Sequence, residues 1–325
     1  MKKVIVSGMR PTGAIHLGHY VGVIKNWVEL QHDHDCYFFL ADWHALTSNF
    51  DELDVIRKSR YDYVRGWIAS GMDTKNAHIY NQSSCPEILY LSQIFLCLTP
   101  PGWADRSPSW KDQVQNPKKK LDNLGFYTYP VLQAADIAIL KGQLVPVGED
   151  QVAHVEIARE IVRKFNRLYG TKLPEPQSLL HSVSKLPGTD GVKMSSSIGN
   201  VILLNETEKS LQKKLNKLKT DDKRDGIEKP GNPDNCLVYE YHKVFSSKSE
   251  IEEVCQACKA AQLGCGECKK RLGDVMKKEL MPIAERFNSI SDQECQDIID
   301  EGTRIVSEKV RVTWQEIMEK IRFNR

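Results

Sequence analysis

The chain has 325 residues, 41% of them hydrophobic and 27% charged, the make-up of an ordinary globular protein with enough length for two domains or one large one. Its net charge of +2 gives no support to nucleic-acid binding, and residues 201–325 hold 23 Lys and Arg against 23 Asp and Glu, so no strongly basic face is visible there. The longest apolar runs, near Cys36–Ala41 and Ile94–Leu98, are far too short to span a bilayer. Met1-Lys2-Lys3 leads into polar Ser7 and Arg10 rather than a long apolar stretch, so a cytoplasmic protein with no membrane partner is expected.

In chain order, Val4-Ile5-Val6 predicts a strand. It is followed by the loop Pro11-Thr12-Gly13-Ala14-Ile15-His16-Leu17-Gly18-His19, then by a helix with Val21, Ile24, Trp27, Val28 and Leu30 at helical spacing. A helix start presents unpaired N–H groups and a positive dipole end, which suits an anion such as phosphate. Gly18 lets a flat ring approach the backbone. His16 and His19, three apart, share a face and can donate to the same oxygens, although two surface histidines on a plain loop would read the same way.

Cys36–Ala41 predicts a buried strand ending at Asp42-Trp43-His44, where polar residues line the crevice of an open parallel sheet. A helix is expected from about Asp54 to Ser70 and a strand at Ala77–Asn81. Thr99–Gln115, with three prolines, reads as a loop. Tyr129–Leu140 reads as a helix with Pro130 at its start. Leu144–Gly148 is a strand into a turn, and Glu149–Tyr169 an amphipathic helix. This alternation predicts a parallel α/β sheet. From Glu206 the chain reads as consecutive helices, the last roughly Asp292–Ile321, which places a domain boundary near 205.

A second Gly-rich loop, Gly188-Thr189-Asp190-Gly191-Val192-Lys193-Met194-Ser195-Ser196-Ser197, delivers one lysine and three hydroxyls. There is no Walker-type phosphate loop and no Gly-x-Gly-x-x-Gly, so any nucleotide must lie between this loop and the first. His-x-Gly-His followed by Lys-Met-Ser-x-Ser resembles the two nucleotide motifs of the class I aminoacyl-tRNA synthetases, and the surrounding residues resemble the tryptophanyl-tRNA synthetases. That resemblance implies a Rossmann-like catalytic domain over residues 1–205 and a helical anticodon-binding domain over 206–325. It implies ATP and Mg²⁺ as the activating pair, L-tryptophan and tRNA(Trp) as substrates, and a homodimer.

Residue by residue, the resemblance places Arg10, Pro11, Thr12, Gly18, Gly148, Glu149, Asp150, Met194, Ser195, Ser196 and Ser197 against ATP, with Lys193, His19 and His16 in the reaction itself. In Tyr129-Pro130-Val131-Leu132-Gln133-Ala134-Ala135-Asp136 it makes Asp136 the acceptor for the indole N–H, which would cost about 1–3 kcal/mol if buried unpaired. Gln151 is placed at the ammonium group, and Tyr129, Gln133, His44 and Ser7 around the amino acid. Two positions depart from the pattern. Ser196 stands where a second lysine is usual, so Lys193 alone, or another basic residue such as Lys111, carries the charge. Gln133 stands where methionine is common, and glutamine there also suits a tyrosine enzyme. A tyrosyl-tRNA synthetase and a non-catalytic RNA-binding relative are the competing readings.

Nine cysteines are many for a reducing compartment, and six follow position 235. Cys255-x-x-Cys258 and Cys265-x-x-Cys268 have metal-ligand spacing. By spacing alone zinc or a cluster is possible, and so are buried cysteines with no metal. The resemblance extends to bacterial tryptophanyl-tRNA synthetases with a four-cysteine [4Fe–4S] site, which implies Cys236, Cys258, Cys265 and Cys268 as ligands and leaves Cys255 over.

Overall fold

The structure, a computed structural model, describes residues 2–115, 121, 123–180, 186–196 and 198–322. Five strands, β1 (Val4–Met9), β2 (Asp35–Leu40), β3 (Ala77–Asn81), β4 (Leu144–Val147) and β5 (Gln177–Leu180), form one sheet in the order β3-β2-β1-β4-β5. Every pairing is parallel, with Val4 opposite Asp35, Cys36 opposite Ala77 and Leu144 opposite Gln177. The chain builds outward from β1 to β3, then returns to the other side for β4. The order therefore reverses between β1 and β4, and a crevice opens there beyond the carboxyl ends of the strands.

Both faces of the sheet are covered, which is why β2 is apolar and buried from Cys36 to Leu40 rather than alternating. Ile5, Phe38, Leu40 and Ile79 pack with Trp27, Tyr63 and Trp67, and this core runs on into Leu211, Tyr241, Leu272 and Met276 of the later helices. Val6, Tyr37, Phe39 and Tyr80 face the opposite way, onto Ile88, Phe95, Val131 and Phe165. The α/β sheet with its helical region is the expected fold class. No helix among the described residues is long and apolar enough to cross a membrane.

The sequence reading needs three corrections. Thr99–Gln115 is not loop but holds two short helices, Pro101–Ala104 and Pro108–Gln115; a proline at a helix start sets φ and loses only an N–H that had no partner anyway. The helix expected from Tyr129 begins at Leu124, because the Asn123 side chain caps it by accepting the Phe126 N–H at 2.8 Å, and Pro130 lies inside. β5 carries no apolar alternation and was not foreseen.

After the first loop the chain forms one turn of α-helix, Leu17–His19, a π-helical segment, Tyr20–Ile24, and a second α-helical stretch, Lys25–Leu30. Such π segments concentrate at functional sites. Here the segment presents the Tyr20 hydroxyl and, just beyond it, Lys25 to Glu279 of the Cys265–Ser289 helix, each at 2.8 Å.

The last helix, Asp292–Ile321, starts in a Ser291–Glu294 capping box and lies along β3, covering the open edge of the sheet. Contact is so close that a Cβ on Gly302 would collide with the Ile79 carbonyl. Gly302→Ala is expected to cost about 1–3 kcal/mol through forced displacement of the helix. A urea midpoint equal to that of the unaltered chain would refute this close packing.

Candidate active site

A cavity of about 1080 Å³ occupies the switch-point crevice. Of the residues expected there, Ser7, Arg10, Thr12, His16, His19, His44, Tyr129, Gln133, Asp136, Gly148, Gln151, Lys193, Met194, Ser195 and Ser196 line it. Pro11, Gly18 and Glu149 are not part of the lining. Pro11 is buried, Gly18 lies behind the His16 ring, and Glu149 begins the 3₁₀ turn that follows Gly148. Ser197 and the Asp150 side chain lie outside the described residues. Lys111 is exposed and does not reach the cavity. Among the described lining residues, Arg10 and Lys193 are therefore the side chains with a permanent positive charge.

The two histidines cap their own helix. His16 Nδ1 accepts the Gly18 N–H at 3.1 Å, and His19 Nδ1 accepts the His16 N–H at 3.3 Å. Their rings stack at 3.8 Å. An Nδ1 that accepts puts the proton of the neutral ring on Nε2, so each imidazole keeps an Nε2–H to donate. Burial lowers His16 to about 4. Burial, His16 and Lys193 together lower His19 to about 3. Both are neutral donors at pH 7, not cations.

The acid stability of the chain follows from this. Folded values below the ordinary 6.5 mean that the unfolded chain binds more protons. Stability from the pair is whole above pH 6.5 and drains as pH falls toward 4 and 3. The urea midpoint should fall between pH 7 and about 4.5, and fall less steeply when both histidines are replaced by asparagine. Equal slopes would count against buried, neutral rings.

Asn200, buried and unremarked in the sequence, organises the lysine loop. Its amide donates to the Lys193 carbonyl at 3.1 Å and to Asp190 Oδ1 at 2.8 Å, and its oxygen accepts the Ser195 N–H at 2.8 Å. Gly188 has no Cβ because one would collide with the Asn200 side chain. The two loops touch directly. The Ser196 hydroxyl donates to the Ala14 carbonyl at 3.2 Å, and Leu17 N–H donates to the Ile202 carbonyl at 2.8 Å.

On the floor of the crevice, Asp136 is wholly buried. Its Oδ2 lies 2.8 Å from His44 Nε2, and the Gln82 amide donates to Oδ1 at 2.8 Å and Oδ2 at 3.0 Å. Burial raises the Asp136 carboxyl above its ordinary range, and the His44 and Gln82 hydrogen bonds oppose that rise. Nearby, the Tyr129 hydroxyl is 2.8 Å from His154 Nε2 and 3.0 Å from the Ser109 hydroxyl, to which it donates, and His154 Nδ1 lies 2.8 Å from Gln151 Oε1. His154 thus joins two residues that the resemblance paired with the amino acid. Gln82 and His154 were not foreseen. Gln82 directly follows β3, so the rule that strand ends line the crevice could have found it.

The four cysteines gather between the helices of the second half. Cys268 is pushed up to about 12, first by burial and then by Cys236, Cys258 and Cys265. A Cβ on Gly231 would stand 2.6 Å from Cys258 Sγ, so glycine there makes room for the thiol. Arg224 and His242 lie 3.9 and 3.6 Å from Cys258 Sγ and Cys268 Sγ. Among the described residues, no group of three or more His, Cys, Asp or Glu side chains is arranged to hold a metal ion.

The crevice of the parallel sheet thus lies between a histidine-capped turn and a lysine loop, over a buried carboxylate. The family model described as tRNA synthetases class I (W and Y) matches residues 2–281. The tryptophan–tRNA ligase of Thermotoga maritima is 44% identical over 318 residues, spanning 96% of this chain and 97% of that one. That of Aquifex aeolicus is 36% identical, covering 98% of each. The tryptophanyl-tRNA synthetase of Campylobacter jejuni, solved with ADP and tryptophan, superposes with a TM-score of 0.86 at 31% identity, over 98% of this chain and 100% of that one. The chain belongs to the tryptophan–tRNA ligases of the class I synthetase family.

Proposed function

We propose that this chain activates L-tryptophan with MgATP to tryptophanyl-adenylate and transfers the acyl group to the 3′ end of tRNA(Trp). The observation that carries this reading is the buried, hydrogen-bonded Asp136 carboxylate in the same cavity as Lys193, His16 and His19. The tryptophan carboxylate attacks the α-phosphorus, the bond to the bridging oxygen breaks, and pyrophosphate leaves with that electron pair. No protein nucleophile is needed, so the chain's work is placement and charge neutralisation. Lys193 meets the charge gathering on the β- and γ-phosphates, and the two Nε2–H groups donate to phosphate oxygens without adding charge. Mg²⁺, carried in on the triphosphate, adds the positive charge that two side-chain cations leave short. Asp136 accepts the indole N–H.

Tryptophan-dependent pyrophosphate exchange tests the whole reading. Faster exchange with tyrosine would favour a tyrosyl enzyme, and none with any amino acid a non-catalytic relative.

On this reading the catalytic part ends near residue 205, the helices beyond it dock the anticodon end, and the protein works in the cytoplasm. It pairs with a second copy; exposed Phe50, Tyr90 and Leu124 supply apolar surface that a partner would cover. Cys236, Cys258, Cys265 and Cys268 hold a [4Fe–4S] cluster, for which the gathered thiols and the close approach of Cys258 to the Gly231 backbone speak. Bound there, it would tie the surrounding helices together. Protein isolated without oxygen should be brown and contain iron; a colourless, iron-free preparation would overturn the assignment.

A further inference from the structure

We propose that Gln82 is a positioning residue for substrate choice: it fixes the direction of the Asp136 carboxylate and keeps it an acceptor, and so sets the preference for an indole N–H over a phenol O–H. The inference rests on the reading of Asp136 as the partner of the indole nitrogen.

Gln82 is fully buried and opens the 3₁₀ turn Gln82–Ser84 directly after β3. Its side chain holds two site residues at once. The amide straddles both Asp136 oxygens, while Oε1 accepts the His44 N–H at 3.3 Å. The turn is itself pinned, since Asp42 Oδ1 accepts the Ser83 N–H at 2.9 Å and Oδ2 accepts the Ser83 hydroxyl. Gln82 therefore has little freedom to swing away, and Asp136 cannot rotate without breaking its bonds to it.

A carboxylate offers about four lone-pair sites. Among the described residues, Oδ2 takes both His44 and Gln82, whereas Oδ1 takes Gln82 alone. Oδ1 is thus the oxygen with acceptor capacity to spare for an indole N–H. Buried this deeply, the carboxyl is biased toward its neutral form, and the charge of Asp42 adds to that bias. Tyr80 and Cys85, both buried, also face it, and neither donates a hydrogen bond to it. The hydrogen bonds from His44 and Gln82 oppose that bias. A neutral acid would carry an O–H as well, and could then donate to a phenol oxygen. Discrimination would erode.

The test is pyrophosphate exchange by the full-length chain with tryptophan and tyrosine, from about pH 5.5 to 8.5. Gln82→Met keeps the bulk and removes the donor. It should raise the KM for tryptophan about 10- to 100-fold with kcat changed far less, and narrow the tryptophan-to-tyrosine preference about tenfold or more. The acid limb of kcat/KM should move to higher pH, because losing a donor favours protonated Asp136. Gln82→Glu should show the reverse trend, its KM improving as pH falls, because two facing carboxyls hold one proton between them and the protonated one returns the donor. This second variant decides the matter if Gln82→Met does not fold. An unmoved KM and acid limb in a folded Gln82→Met, or a fall in kcat alone with the pH profile intact, would overturn the proposal. If Asp136→Asn raises the KM for tryptophan and Gln82→Met does not, only the role of Gln82 fails. If Asp136→Asn also leaves it unchanged, the reading of Asp136 fails with it.

Discussion

Lys193→Ala should slow tryptophan-dependent pyrophosphate exchange about 10²- to 10³-fold at saturating substrates, with the KM for tryptophan little changed. Arg10 is the other lining side chain with a permanent charge among the described residues, because both histidines are held neutral. The usual second lysine is Ser196, whose hydroxyl donates to the Ala14 carbonyl and carries no charge. No other cation of the loop stands in reserve, so the loss falls on the step in which charge moves onto pyrophosphate. Lys193→Arg should recover only part of the rate, since the broad guanidinium cannot replace a compact ammonium on a tightly turned loop. A Lys193→Ala enzyme within about threefold of the parent would remove the lysine from the reaction.

Asp136→Asn should lower kcat/KM for tryptophan about 10²-fold or more. The change costs a charge-assisted hydrogen bond to the substrate, and it also turns one arm of the side chain into a donor facing other donors. His44, Gln82 and the indole N–H would then compete for one remaining oxygen of a wholly buried side chain. Exchange measured against tryptophan concentration checks this; a parent-like curve would place the indole elsewhere.

Much of this was legible in the residues. The β1, β2 and β3 strands and the last helix carry strong apolar periodicity, and each lies within a residue or two of its expected place except for a somewhat longer β1. β5 was invisible because a short strand of mixed exposure leaves no pattern to read. The start of the Leu124 helix was hidden because a single capping asparagine, not an apolar repeat, decides it. Sequence motifs pointed to residues that the fold gathers round one cavity. They could not show which groups hold those residues in place. Gln82 and His154 lie 54 and 25 residues from Asp136 and Tyr129, and the fold brings each pair into hydrogen-bond contact, while Asn200 folds back on Lys193 within one loop. The protonation of the two histidines is likewise a property of burial, which spacing does not record.

The Cys265–Ser289 helix bears two of the gathered thiols in its first turn and Glu279 farther along, where Tyr20 and Lys25 grip it. From Cys265 to Glu279 is fourteen residues, or roughly 21 Å of rod at 1.5 Å per residue, and Pro282 falls only beyond that stretch. A rod of that length neither shortens nor bends easily. Tilting its cysteine end would therefore swing the far end like an oar in its lock, dragging Tyr20 and the backbone one step from His19. The gathered thiols and the histidine-capped turn are thus joined by one stiff spar.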